Sequence, residues 1–158
     1  MMHIAIIAGV ILVALTIAIN YYLDQSKISG QRFGDQLAQI QTDLKNETLN
    51  FDSQLTQYKN GEISQDQMLK ITDEHIPEIQ KILSRYDELK APDSFGPSLQ
   101  LFKLSTQAQI ESDQNLRDWI ATGDNSTKTK SDQLLQQSFQ YEMSALQSYN
   151  NAKSAGAQ

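Results

Sequence analysis

The chain has 158 residues, a formal charge of −6, no cysteine and a hydrophobic share of 39%, below that usual for a compact soluble domain. The missing cysteines exclude a disulfide scaffold, a thiolate zinc site, a cysteine-ligated iron–sulfur cluster, a c-type haem attachment and a cysteine nucleophile. An excess of 19 acidic over 13 basic residues argues against nucleic acid, whose recognition runs on clustered Lys and Arg.

Every charged side chain lies after position 23, and residues 4–19 form an apolar block. As a helix, residues 4–23 reach about 30 Å, the thickness of the hydrocarbon layer, with Tyr21 and Tyr22 where aromatic rings anchor at headgroups. Thr16 and Ala18 offer the small residues of a signal-peptidase site, but no Lys or Arg precedes the block and it is long for a signal h-region. The expectation is a retained, single-pass signal-anchor over residues 1–23 in the cell membrane. Lys27 and Arg32 weigh toward a cytoplasmic body; the short N-terminal tail, the absent cysteines and a surface rich in Gln, Ser and Thr weigh toward an extracytoplasmic one, which we expect. Two Asn-x-Thr sequons, at Asn46 and Asn125, suit that side and arise easily by chance in such a composition. Within the span, Ala5 with Gly9 and Ala14 with Ala18 set small residues four apart, a spacing that admits a second transmembrane helix.

Residues 24–32 read as a juxtamembrane joint, with Ser29-Gly30 as its flexible point or, alternatively, a continuous helix. Phe33, Leu37, Ile40, Leu44, Phe51, Leu55 and Tyr58 then recur at helical spacing until Asn60-Gly61 stops them. A Ser64-x-x-Gln67 capping box opens a second helix with the stripe Met68, Thr72, His75, Ile79, Ile82, Tyr86 and Leu89; Pro77 predicts a kink or short break just before it. Ala91-Pro92-Asp93-Ser94 and Pro97 start a third helix carrying Phe95, Leu99, Phe102, Leu116, Trp119 and Ile120. Its polar middle, residues 105–115, predicts an exposed flank or a docking place. Gly123 supplies a left-handed C-cap, and Leu134, Leu135, Phe139, Ala145, Leu146 and Tyr149 make a fourth stripe; residues 154–158 should fray into a disordered tail. No segment alternates with period two, so the body, residues 33–153, is expected to be all-α. Its economical packing is an antiparallel four-helix bundle; the alternative is a three-helix bundle on a helical stalk.

Chemistry is sparse. With only His3 and His75, the paired Glu-x-x-His motifs of di-iron bundles are out of reach. His75 with Asp73, Glu74 and Glu78 is the one metal-capable cluster, but Glu74 and Glu78 share a face displaced from that of the histidine, which reads as a partly buried helical residue. No Ser-His-Asp set or Gly-rich phosphate loop appears, so neither catalytic nor metal-binding residues are assigned and no cofactor is expected. Trp119 with Arg117 is the candidate anchor for a protein partner, since Trp and Arg dominate interface hot spots.

The stretches Ala91-Pro92-Asp93-Ser94-Phe95 and Trp119-Ile120-Ala121-Thr122-Gly123-Asp124, the second leading into a helix with Leu134-Leu135 and Glu142, resemble small membrane-anchored helical proteins, including ones from ammonia-oxidising archaea. The resemblance spans residues 85–150, rests on helix punctuation and implies no catalytic residue. It implies a single-span accessory subunit beside a larger membrane enzyme such as ammonia monooxygenase. Anchor plus four helices is also similar to the ligand-sensing domains of chemoreceptors. The expected function is therefore that of a non-enzymatic membrane-anchored interaction protein, a scaffold or accessory subunit whose partners are the bilayer and another membrane protein. The alternatives are a small-molecule sensory bundle with a ligand near His75, Tyr86 and Phe102, and a metal or redox carrier using His75.

Overall fold

A computed structural model describes residues 28–156. The expected anchor, the cleavage alternative, the faces of Ala5, Gly9, Ala14 and Ala18 and the first part of the joint lie outside the described residues. Four helices are present: α1 (Ile28–Lys59), α2 (Gln65–Arg85), α3 (Gly96–Thr122) and α4 (Asn125–Gly156), with 3-10 turns at Tyr86–Glu88 and Asp93–Phe95. Among the described residues there is no strand, and no helix is long and apolar enough to cross a membrane.

The helix boundaries follow from local chemistry. At the end of α1, Gly61 takes φ 76°, so its N–H bonds to the carbonyl of Tyr58 and the N–H of Glu62 to that of Gln57, the paired closure of a Schellman motif. Ser64 and Gln67 cap α2 reciprocally: the Gln67 N–H donates to Ser64 Oγ and the Ser64 N–H to Gln67 Oε1, at 3.2 and 2.8 Å. Between α3 and α4 only Gly123, at φ 73°, and Asp124 intervene. The Asp124 carboxylate accepts from the Ser126 N–H and hydroxyl and so caps α4.

Several expectations are corrected. The short break expected before Pro77 is absent: α2 is helical from Gln65 to Arg85, with His75, Ile76 and Ile79 buried around a residue that has no N–H to donate. The same helix stops at Arg85 instead of continuing to Leu89, because Leu89 is extended (ψ 129°) and Pro92 disfavours helix in the residue before it. At its start α1 already includes Ser29 and Gly30, which are helical, and α4 continues past 153 to Gly156.

Side-chain pairs fix the topology. Arg85 of α2 reaches Asp43 of α1, Arg117 of α3 reaches Asp73 of α2, and the rings of Phe33 and Tyr149 bring the start of α1 to the end of α4. Each helix is thus antiparallel to the next. The α1 stripe of Phe33, Leu37, Ile40, Leu44 and Phe51 is buried inside this bundle, which excludes the stalk alternative.

The tightest contact is a serine seam between α3 and α4. Ser105 Oγ donates to the Ser138 carbonyl at 3.0 Å and Ser138 Oγ to the Ser105 carbonyl at 2.8 Å. One heptad on, Ser112 Oγ donates to the Ser131 carbonyl at 2.8 Å. Ser98 and Ala145, one heptad further along each row, are both fully buried. Small residues every seven positions let two backbones approach closely along a coiled-coil seam. This seam overturns two expectations. Residues Ser105, Thr106, Ala108, Gln109, Ile110, Ser112 and Asp113 are interior, so the polar middle of α3 is no exposed flank. And α4 is rotated so that Ser131, Ser138 and Glu142 face inward with Ala145, Leu146 and Tyr149, leaving Leu134, Leu135 and Phe139 half-buried.

The buried apolar side chains form two clusters. The larger joins Phe33, Leu37, Ile79, Tyr86, Phe102 and Tyr149 near the start of α1; the smaller, around Phe51, Met68, Leu116 and Ile120, lies toward the α1–α2 connection.

Ser138→Leu places a branched side chain against the Ser105 backbone and should destabilise by about 1–3 kcal/mol, whereas Ser138→Ala loses a neutral hydrogen bond worth about 1 kcal/mol. Urea midpoints of the full chain in detergent check the ranking; a Leu variant as stable as wild type would contradict the seam.

Candidate functional site

Between the two apolar clusters, α1, α2 and α3 each contribute one ionisable side chain to a single contact. His75 Nδ1 lies 2.9 Å from Glu47 Oε1 of α1, and His75 Nε2 lies 3.2 Å from Asp113 Oδ2 of α3. The imidazole is 2% exposed and stacks face to face on Phe51, ring centres 4.0 Å apart. Beside it, Gln109 Nε2 donates to Thr48 Oγ1 at 2.7 Å, and Thr48 donates to the Leu44 carbonyl. Glu47 and Thr48 are adjacent in α1, and Gln109 precedes Asp113 by one turn, so these groups form one polar layer across three helices.

A neutral imidazole carries one N–H and can serve one carboxylate; two ionised carboxylates require the imidazolium, in which both nitrogens donate. Burial alone pushes the His75 pKa down, but the hydrogen bonds and charges of Asp113 and then Glu47 outweigh it and hold the ring above its ordinary value. Burial also raises Asp113, against the pull of His75. Asp52 is raised to about 6, first by burial and then by the charge of Asp113.

A second polar node lies in the larger cluster. Gln41 Nε2 donates to the Tyr86 hydroxyl at 2.6 Å, and Thr106 Oγ1 lies 3.3 Å from the same oxygen. Burial, with the charge of Glu142 added, raises the Tyr86 pKa, and burial raises Glu142 itself to about 7. His75, Tyr86 and Phe102, the trio considered for ligand entry, are each at most 3% exposed, and the polar atoms of the first two are taken by protein partners.

The cluster read from the sequence is pulled apart. His75 points inward, while Asp73 is held by Arg117, Glu74 lies near Lys70 and Glu78 near Lys81 on the surface. Among the described residues no group of three or more His, Asp or Glu side chains is arranged to hold a metal ion. Arg117 grips Asp73 with Nε and Nη2 and ties α3 to α2. Trp119 is half-buried against the smaller cluster, with Tyr58 edge-on to it, ring centres 6.4 Å apart, and the Lys128 ammonium 5.9 Å above its ring. The functional pair that sequence reasoning missed is Glu47 and Asp113. Their signal is a charge at a core-facing step of each stripe, Leu44–Glu47–Phe51 and Gln109–Asp113–Leu116.

No family model, no curated protein and no solved structure matches the chain.

Glu142 is ionised at about pH 8 inside the fold, where its charge is disfavoured, and the cost disappears as pH falls through about 7 toward the ordinary value of 4.5. Glu142→Gln should therefore stabilise the bundle by on the order of 2–3 kcal/mol at about pH 8, a gain that fades by about pH 4. Denaturant titrations of both proteins across that range check it; a constant difference would contradict it.

Proposed function

We propose that the chain is a non-enzymatic, membrane-tethered helical bundle that acts through protein–protein contact, as a scaffold or accessory subunit of a membrane complex. The observation that carries this reading is the position of the half-buried Tyr58–Trp119–Lys128 group at the end of the bundle opposite the first turn of α1. The described part of α1 starts at Ile28, close in sequence to the apolar stretch 4–23, and its 32 residues span about 48 Å. A tether at that end presents the aromatic group to a neighbour well above the bilayer. Trp and Tyr beside a cation have the composition of an interface anchor: large apolar area, low side-chain entropy and polar tips. The resemblance to small anchored proteins of ammonia-oxidising archaea directs the search to large membrane enzymes of the ammonia monooxygenase type. The burial of His75, Tyr86 and Phe102 favours this reading over a ligand-sensing bundle.

Extraction from native membranes in mild detergent, a native gel and mass spectrometry test it. The wild-type chain should co-migrate with integral membrane proteins, and Tyr58→Ala combined with Lys128→Glu should abolish co-migration with the helical content unchanged. A wild-type chain that migrates alone, or a double variant that still co-migrates, would overturn the reading.

A further inference from the structure

With both carboxylates ionised, the Glu47–His75–Asp113 contact is fully hydrogen-bonded in only one protonation state of the ring. With both nitrogens protonated, each N–H meets a carboxylate oxygen from a different helix. With one proton gone, a nitrogen lone pair faces a carboxylate oxygen at about 3 Å, a buried repulsion with no donor to relieve it. The contact occupies the boundary between the two apolar clusters, and Phe51, on which the ring stacks, belongs to the smaller one. That smaller cluster has four buried apolar members, Phe51, Met68, Leu116 and Ile120, contributed by the same three helices that the histidine joins. Its other apolar neighbours, Leu55, Tyr58, Ile63, Leu69, Ile71 and Trp119, are only partly buried.

We propose that Glu47, His75 and Asp113 form a proton-binding latch: a proton on the ring closes α1, α2 and α3 around the smaller cluster, and its loss opens that end of the bundle while the larger cluster stays packed. This goes beyond the partner-binding reading and holds whether or not the Trp119 end meets a partner.

The charged surroundings fix the sign. From α1, Glu47 touches the ring and Asp52 acts on it through space, with Lys59 opposing Asp52; from α3, Asp113 touches it. On α2 itself Asp73 is paired with Arg117, and Glu74 and Glu78 lie at the surface beside Lys70 and Lys81. From α4 the buried Glu142 acts on Tyr86 in the other node. Carboxylates therefore dominate around the ring and keep its proton above the ordinary histidine range. The latch contributes stability that is fully present below the ordinary histidine value and is lost as pH rises through the folded-state value. Protonation of Asp113 in acid leaves a carbonyl oxygen that still accepts from the imidazolium, so opening belongs to the alkaline side.

The test uses the full chain in detergent micelles carrying His3→Gln, which leaves His75 as the only histidine. Nitrogen NMR of labelled histidine should find both ring nitrogens protonated at about pH 7, with the second proton lost above the value measured for the same chain in denaturant. Amide exchange, corrected for its intrinsic pH dependence, should quicken by about tenfold or more in residues 51–59, 65–72 and 113–122 as the ring deprotonates, with residues 33–44 unchanged. Asp113→Asn keeps the shape and removes one charge, and should lower the titration point of His75. A neutral ring at about pH 7 in the folded chain, exchange that quickens equally in both halves, or an Asp113→Asn variant with an unshifted titration would each overturn the latch.

Discussion

The arrangement of the first three helices depends on one imidazole whose two nitrogens are claimed from opposite sides. A ring bonded to Glu47 at 2.9 Å and to Asp113 at 3.2 Å ties the height of α1 and of α3 to that of α2, because its two nitrogens sit at fixed positions on opposite sides of one rigid ring. Stacking on Phe51 fixes the remaining rotation. The contact is poor as a source of stability, since desolvating three charged groups offsets much of their attraction. Its value lies in uniqueness: a slip of one turn in α1 or α3 would leave a buried charge without a partner, a far larger penalty than any apolar mismatch.

α4 is held by a different device. The serine seam gives it a register against α3 through backbone-directed hydrogen bonds, and the rotation this imposes carries Glu142 into the interior. The core is thus layered: the Tyr86 node lies within the larger apolar cluster, and the histidine clamp separates that cluster from the smaller one. Among the described residues every fully buried side-chain nitrogen and oxygen has a partner, so the many polar residues inside the bundle specify its packing without leaving unpaired groups. They also share a direction. His75, Asp52, Asp113 and Glu142 all bind a proton more tightly in the fold than in the unfolded chain, so folding takes up protons, and the bundle gains stability as pH falls from alkaline toward mildly acidic.

How much of this was legible in the sequence depended on whether the cause was local. The Ser64–Gln67 box, Gly61, Pro97 and Gly123 act within a few residues of themselves, and the helices begin or end at each of them. The apolar stripes are interior from Phe33 to Phe51 in α1 and from Met68 to Tyr86 beside it, and half-buried beyond, at Leu55, Tyr58 and Leu89. The α4 stripe failed where another contact competed with it: close approach along Ser131 and Ser138 turned Leu134, Leu135 and Phe139 to the rim. Read alone, seven-residue serine spacing looks like solvated surface; only pairing with a second such row makes it a seam. Glu47 and Asp113 were invisible for a related reason. The sequence neighbours of His75 include Asp73, Glu74 and Glu78, yet its partners lie 28 positions before it and 38 after it, and become neighbours only in the antiparallel register.

That register also joins the clamp to the surface. Asp73, two residues before His75, is gripped by Arg117, one turn after Asp113, and Trp119 follows two residues later. Widening α2 from α3 at the ring would pull on the Asp73–Arg117 pair, because Asp113, Arg117 and Trp119 share two turns of α3. Were a partner to dock at Trp119, its contact and the proton proposed at His75 would be two ligations of one element. Linkage makes them reciprocal: a partner that fits the closed end would strengthen the hold of His75 on its proton by the same free energy with which the proton strengthens the partner. On this view the acidic side chains around the ring set the pH at which the far end of the bundle is in shape to bind.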